Sequence, residues 1–530
     1  MMAFGHTLRN VLSASLLALG LAAAVAPADA ASDKTLRAVV NADLKIIDPT
    51  WSTAYVTIRH SYLVYDNLFA LNSNFEPKPQ MVDTFTVSPD KMSYSFTLRK
   101  GMKWHDGAPV TAADCVASLK RWAQRNAMGQ HMVRAMEGFE VVDDLTFKIK
   151  LKDQFGLVLE ALAGAEAPAF MMPARIAEQP IDKQITDPIG SGPFMMKRDE
   201  WQPGHKAVYV RNPTYIPRNE PADYLAGGKV AKLDRVEWLY IPDNNTTLSA
   251  LQAGEIDYFE APPLDFVQLM KSDPNITVLT IDKLGVQMMA RPNALFPPFD
   301  NFKARQALLH LVNQADSMQA VVGDPDYYRK SCVTFFMCGS ENETTAGVVG
   351  LTPDFEKAKA LLKEGGYKGE PITVLLPTDR PQYQAAENVL IANMRKAGMN
   401  LDVQSLDWAT ITARRAKRDT PDKGGWHLFV TSAGGPDVAS PLANIWFNSQ
   451  CAKANVGWPC DEELTKLVSD WAKETDATKR RAMVDAIQTR AFVSVPYLNL
   501  GQYVQPIAFR SNIKGVVKAG VPVYWNIEKQ

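Results

Sequence analysis

Between residues 372 and 431 the chain alternates short apolar runs with longer stretches whose apolar residues recur every 3.6 positions. The order is ITVLLP (372–377), QYQAAENVLIANMRKA (382–397) ended by Gly398, LDVQSL (401–406), a helical stretch to about Arg418, and WHLFVT (426–431). Strands separated by helices cannot pair as tight hairpins. Each connection must cross over, and the order predicts a parallel sheet flanked by helices. Upstream of residue 300 the pattern differs. TLRAVV (35–40) reads as a buried strand, and SYSFTLRKG (93–101) and TFKIKL (146–151) alternate as half-buried strands do. Thr111, followed by Asp114, opens a helix that places Cys115, Val116, Leu119 and Trp122 on one face. A second helix spans about Thr246 to Gln252 and stops at Gly254, and Asp300 can cap a third. The fold class is therefore α/β, with a mixed α+β first lobe and a compact α/β unit in the second half. Two amphipathic helices near 461–492 lead to VPYLNLGQYVQPIAF, read as strands rejoining the first lobe.

The first 30 residues stand apart. His6 and Arg9 begin a short polar start, Val11 to Val25 is apolar, and Ala28-Asp29-Ala30 offers small residues at −3 and −1 of a cleavage site. The apolar run is shorter than the roughly 20 residues a bilayer core demands, so 1–30 reads as a secretory signal peptide. No cysteine precedes Cys115 to carry a lipid, and a freely soluble periplasmic protein is expected. The 530 residues carry 57 basic and 58 acidic side chains. Such a balance creates no long-range field for a nucleic-acid backbone, and no nucleic-acid partner is expected.

In an oxidising compartment closely spaced cysteines are usually bridged. Cys332 with Cys338 and Cys451 with Cys460 are therefore expected to form two local disulfides, leaving Cys115 as a buried thiol. The spacings lack a C-x2-C pair, and the seven histidines contain neither H-x-H nor H-E-x-x-H, so no metal, cofactor or catalytic residue is expected. His105 in KWHDG reads as a turn-stabilising residue.

The stretch EPKPQMVDTFTVSPDKMSYSFTLRKGMKWHDGAPVTAADCVASLKRW (76–122) resembles the most recognisable block of the extracytoplasmic solute-binding proteins of ABC importers, family 5. VYDNLF (64–69), IGSGPFMMKRDEWQPGHKAVYVRNPTY (189–215), LSALQAGEIDYF (248–259), FDNFKARQALLHLVNQ (299–314) and AKALLKEGGYKG (358–369) extend the similarity in the family's order. The resemblance implies a two-lobed periplasmic binding protein fold, class II, of the large cluster with an extra subdomain. Lobe I would comprise 31–285 and 501–530, with an inserted subdomain at about 60–185, and lobe II would comprise 286–500. The chain would cross near 283–290 and return near 498–505. It further implies a monomer that captures a small polar solute, peptide-like or related, in an interlobe cleft and delivers it to the permease subunits of an ABC transporter, without chemistry of its own.

A cleft of this kind needs groups from both lobes. The loop 48–57 corresponds to a ligand-contacting loop of the family, which makes Trp51, Ser52 and Tyr55 candidates from lobe I. In lobe II, Trp408 and the Ser432 to Asp437 segment follow strands at their carboxyl ends, where ligands of open α/β sheets gather. Trp426, Trp446 and Arg414, or its neighbour Arg415, complete the candidates, the arginine as a carboxylate clamp. Peptide binders of the family place an aspartate in the loop that here reads TSAGGPDVASP, where it pairs with the ligand's amino terminus. The matching position here is Ser432, while Asp437 aligns with a turn-capping aspartate. That departure keeps modified peptides, opines and sugars in play. A secreted hydrolase or peptidase is the rival reading, although G-x-S-x-G is absent. A periplasmic chaperone-like peptide binder is the third.

Overall fold

The computed structural model describes residues 34–52, 54–165 and 168–530; the expected leader lies outside them. Lys34 to Gln530 forms one compact unit organised around three principal sheets. The first has seven strands in the order Phe194–Met196, Lys206–Arg211, Arg235–Leu239, Thr35–Val39, Tyr258–Phe259, Ile507–Arg510 and Ile276–Leu279. Thr35–Val39 sits centrally, parallel to both neighbours. Its fully buried Leu36 and Ala38 belong to a core that also contains Tyr209, Trp238, Tyr258 and Tyr524.

The second sheet has four antiparallel strands, in the order Val82–Val87, Ser93–Leu98, Thr146–Leu151 and Met136–Val141. Tyr94, Phe96 and Leu98 point inward as their alternation requires. The helix Ala112–Ala123 covers them, opened by a capping box in which the Thr111 side chain and the Asp114 carboxylate each accept the other's backbone N–H. Cys115 is fully buried beneath it, and burial pushes its thiol far above the usual range. His105 holds a turn, its ring nitrogens facing the Gly190 amide and the Gly192 carbonyl.

The third sheet, in lobe II, runs Leu401–Leu406, Ile372–Pro377, Leu428–Gly434, Val286–Pro292 and Leu498–Tyr503. The first three strands are parallel, as their helical crossovers dictate. The sheet is nevertheless mixed, because Val286–Pro292 lies antiparallel to both of its neighbours. That strand carries the chain into the lobe and Leu498–Tyr503 carries it out, so the two share an end at the crossing and must run in opposite senses. Of the expected terminal strands only Ile507–Arg510 rejoins the seven-stranded sheet. Two helix limits also shift: Asn301, not Asp300, caps Phe302–Leu309, and the helix after residue 407 ends at Arg415.

The crossing is tightly built. The Asp282 carboxylate accepts the Leu284 and Gly285 amides, each at 2.9 Å. Gly285 has φ +69°, and an added Cβ would stand 2.1 Å from the Tyr503 carbonyl oxygen, so only glycine fits between the two passes. The buried Gln502 side chain links them. Its Nε2 donates to the Leu284 carbonyl at 2.6 Å and the Cys338 carbonyl at 3.0 Å, and its Oε1 accepts the Cys338 amide at 3.0 Å. Both expected disulfides are present, with Cα–Cα distances of 5.8 Å for Cys332–Cys338 and 4.0 Å for Cys451–Cys460. A second contact lies away from the crossing. The four-stranded region meets lobe II where the Gly156 amide donates to Ala472 at 2.9 Å and Arg480 pairs with Glu160 at 2.7 Å. Among the described residues no helix is long and apolar enough to cross a membrane.

Candidate functional site

Gly434, the last residue of Leu428–Gly434, pairs with Val286, the first residue of the strand that enters lobe II. The carboxyl ends of the parallel strands therefore open beside the crossing, toward the seven-stranded lobe. From that lobe Tyr55, the first residue of the helix Tyr55–Val64, reaches the turn that follows them, and the loop 48–52 lies just ahead of that helix in the chain. Asp48 shapes the loop. Its Oδ1 accepts the amides of Thr50 at 2.8 Å and Trp51 at 3.2 Å, while Oδ2 accepts the Ile185 amide at 2.9 Å and Arg121 Nη2 at 3.2 Å. Asp48 is completely buried and Arg121 is 2% exposed, so an internal ion pair fixes a surface turn. The turn leaves Trp51 40% exposed, with the Arg125 guanidinium 5.2 Å from its ring centroid. Ser52 is used within its own turn, its hydroxyl accepting the Ala54 amide at 3.1 Å.

Tyr55 makes the contact between lobes. Its hydroxyl donates to Asp437 Oδ2 at 3.4 Å, across 382 residues of sequence. Asp437 lies in the short helix Gly435–Val438 that follows the strand. Burial pushes its carboxyl up to about 6, while the Tyr55 hydroxyl and the Gly434 backbone pull the other way. One turn beyond Tyr55, Arg59 holds its guanidinium 5.6 Å from the Tyr55 ring and pairs with the buried Glu260, which also accepts the Asn41 amide.

On the lobe II side Ser432 and Trp408 are joined by a residue that sequence reasoning missed. The Tyr383 hydroxyl lies 2.9 Å from Ser432 Oγ, and its ring meets Trp408 edge-on at 4.9 Å between centroids. Tyr383 follows the strand Ile372–Pro377 as Trp408 follows Leu401–Leu406, so the strand-end rule that selected Trp408 applies to it equally. Asp379 accepts the Trp408 backbone amide at 2.8 Å and fixes the start of that helix.

Three expected contacts are corrected. Trp426 is completely buried, its ring packed on Phe429 and Trp458 and its Nε1 donating to the Arg415 carbonyl, so it is a core residue. Trp446 is 8% exposed and lies under the buried Arg291 guanidinium, 5.6 Å from its centroid, within lobe II. Arg414 is engaged within lobe II, where its Nε, Nη1 and Nη2 donate to the Gly424 carbonyl, Gln404 and the Gly425 carbonyl. Arg415 is the arginine turned toward Trp408, its guanidinium 5.2 Å from that ring. Among the described residues no group of three or more His, Cys, Asp or Glu side chains is placed to hold a metal ion.

Two lobes joined by two passes of chain, touching through polar and aromatic groups from each, define a cleft-type binding protein. Residues 76–455 match the model of the bacterial extracellular solute-binding proteins, family 5, and the chain belongs to this family, whose members bind solutes and are not enzymes. Over 502 residues it is 39% identical to the probable peptide ABC transporter periplasmic-binding protein y4tO of Sinorhizobium fredii, covering 94% of each chain. It is 26% identical to the glutathione-binding protein GsiB of Salmonella paratyphi A over 87% of this chain and 86% of that one. Among solved structures it shares its fold with the periplasmic binding protein AgaA of A. tumefaciens R10 in complex with agropinic acid, at a TM-score of 0.75 and 20% identity over 94% of this chain and 99% of that one. It also shares it with DppA of Helicobacter pylori in complex with the peptide STSA, at a TM-score of 0.76 and 21% identity over 93% and 98%.

Proposed function

We propose that this protein is the periplasmic solute-binding component of an ABC importer, taking a small peptide-like or related polar solute into the cleft between its lobes and presenting it to the membrane permease. Lobe I would comprise 34–285 and 504–530 with the four-stranded region as its inserted subdomain, lobe II would comprise 286–503, and residues 1–30 would be the export signal. The observation that carries the reading is the Tyr55–Asp437 hydrogen bond, a polar contact between a lobe I helix and the strand-end turn of lobe II. Asp437 follows the same strand that carries Ser432, whose hydroxyl meets Tyr383, itself packed on Trp408. Trp51, Tyr55, Trp408, Ser432 and Asp437 are the solute contacts of choice, with Tyr383 added. A solute touching both lobes stabilises their closed arrangement by its differential affinity, which is the signal a permease can read.

The relatives' names support the class of solute without fixing it, since one is a probable peptide binder and one a glutathione binder. The test is mass spectrometry of the small molecule carried by periplasmic protein under native conditions, followed by thermal-shift titration with peptides, opines and sugars. Saturable stabilisation without turnover is the expected result. Release of cleaved product, or tight binding confined to unfolded polypeptides, would overturn it.

A further inference from the structure

A second hollow lies wholly on the seven-stranded side of the crossing. Its volume is about 630 Å3, within the roughly 300–1,000 Å3 of small-molecule sites. Every lining residue precedes Leu284 or follows Tyr503, and none is a candidate contact of the interlobe site. The turn around Phe75, the turn around Tyr224 and the loop joining Ile513–Lys514 to its partner strand Glu528–Lys529 wall it. More of the lining is apolar than polar. The Phe75 and Tyr224 rings meet edge-on at 5.5 Å between centroids, and Ile281, Val516 and Val517 join them. The walls are held in backbone conformations that side chains rarely adopt. Phe75 has φ +61°, Tyr224 +58° and Asn526 +64°, three of the eight left-handed non-glycine residues among those described. At the neck of the loop an added Cβ on Gly515, φ +71°, would stand 2.1 Å from the Asn526 carbonyl oxygen. Such strain persists only where the surrounding structure fixes it, and it gathers at ligand clamps and other functional sites. Three lysines also line the hollow. Lys232 is answered by Glu528 at 3.0 Å. Asp223, the only acidic side chain among the described lining residues, accepts the Ser73 amide at 3.1 Å. Lys283 and Lys518 are exposed and form no ion pair among the described residues. On an open surface such lysines are simply solvated, but beside an apolar hollow each can lay its stem on that surface while its head meets an anion.

We propose that this hollow is a second binding site, for a small acid with an apolar body. The body displaces water from Phe75, Tyr224, Ile281 and the two valines, and the acid group pairs with Lys283 and Lys518. A neutral compound of the same shape forfeits the pairing, and an amine meets like charge. The site does not depend on the receptor reading, since it shares no residue with the interlobe site. Its place gives it a reach of its own: Ile281 and Lys283 flank Asp282, whose carboxylate holds the Leu284 and Gly285 amides. An acid seated there touches the segment that leads into the crossing.

Calorimetric titration with matched probes tests this. The probes are 4-phenylbutyrate, 4-phenylbutan-1-ol and 4-phenylbutylamine, which share one body, and butyrate, which has the acid group without the ring. Wild type should bind 4-phenylbutyrate about tenfold more tightly than the alcohol or butyrate. Its binding should slow hydrogen exchange at residues 281–283 and 516–518 and leave 432–437 unchanged. Lys283→Gln with Lys518→Gln should reduce the affinity for the acid to that for the alcohol. Lys283→Glu with Lys518→Glu should reverse the order and favour the amine, an outcome that a merely structural role of the lysines would not produce. Both positions are exposed, and the melting temperature of each double variant establishes that it folds. No saturable binding of 4-phenylbutyrate, equal affinity of wild type for acid and alcohol, slowed exchange confined to 432–437, or a preference for the acid surviving in either folded double variant overturns the site. None of these results bears on the receptor reading.

Discussion

Replacing Asp48 with asparagine removes one charge and almost no volume, yet it should be among the most damaging single changes in the first lobe. The carbonyl oxygen of an asparagine can still accept the Thr50 and Trp51 amides, so the turn itself keeps its hydrogen bonds. The other end of the side chain cannot be conserved. Where Oδ2 now accepts the Ile185 amide and Arg121 Nη2, an NH2 group would face two donors. Arg121, 2% exposed, would retain only its bonds to the Gln179 and Lys183 carbonyls. Breaking a buried ion pair from one side costs about 3–5 kcal/mol, because the remaining charge is uncompensated. Arg121→Met alone should cost less, since Asp48 would keep three backbone amides. The double variant should recover at least about 1 kcal/mol relative to Asp48→Asn, because the stranded cation is gone. Urea unfolding followed by circular dichroism measures the totals, and hydrogen exchange at Trp51, Ser52 and Ile185 shows whether the loss is local. If Asp48→Asn lies within about 1 kcal/mol of wild type, or the double variant is no better than Asp48→Asn, the internal pair does not hold this loop.

Asp437 should make closure of the unliganded protein pH-dependent. Its carboxyl is raised to about 6 from an ordinary 3.8. Stabilisation of the closed form is thus fully present below the ordinary value and lost as pH rises through 6, so scattering should show a more compact protein at about pH 5 than at about pH 7.5. Asp437→Asn should remove that dependence, and a compactness that stays pH-dependent in the variant would assign it elsewhere. Trp408→Ala should weaken solute binding tenfold or more and spare the unliganded melting temperature, whereas Trp426→Ala should cost about 3–5 kcal/mol of stability as a core truncation; reversal of the two patterns would exchange their roles. Glu387 is completely buried with neither carboxyl oxygen normally hydrogen-bonded, and burial raises it well above 4.5 despite the nearby Val430 backbone. The stability that its protonated form provides is present below 4.5 and lost as pH rises. Glu387→Gln should therefore raise the melting temperature at about pH 8 and change it little at about pH 4; an equal effect at both would show that Glu387 stays neutral throughout.

Features set by neighbouring residues were legible in the sequence. The Thr111–Asp114 capping box, the two disulfide loops and the three parallel strands of lobe II all follow from local spacing or from connection length, which the fold cannot easily override. Depth was not legible. Trp408 and Trp426 each adjoin a strand of the same sheet, but one starts a helix at the strand ends and the other lies under the Trp408–Arg415 helix. Only the packed structure distinguishes them. Arg414 and Arg415 were indistinguishable for a related reason: adjacent helical residues diverge by about 100°, and which one meets the 424–425 loop depends on how the helix rotates onto the sheet. The Asp48–Arg121 pair was beyond reach altogether, because its members are 73 residues apart and neither sits in a recognisable pattern. Tyr383 was within reach by the strand-end rule and was hidden by its place in a helical periodicity.

The Gln502 amide has a mechanical corollary. By gripping the Leu284 and Cys338 carbonyls at once, it turns the outgoing strand, the incoming strand and a disulfide-closed loop into a single bracket. Any swing of one lobe against the other must then bend the chain just outside that bracket, in the few residues after Tyr503 and before Leu284. The Glu160–Arg480 pair lies outside that bracket, so a swing of the lobes would have to carry it along or break it.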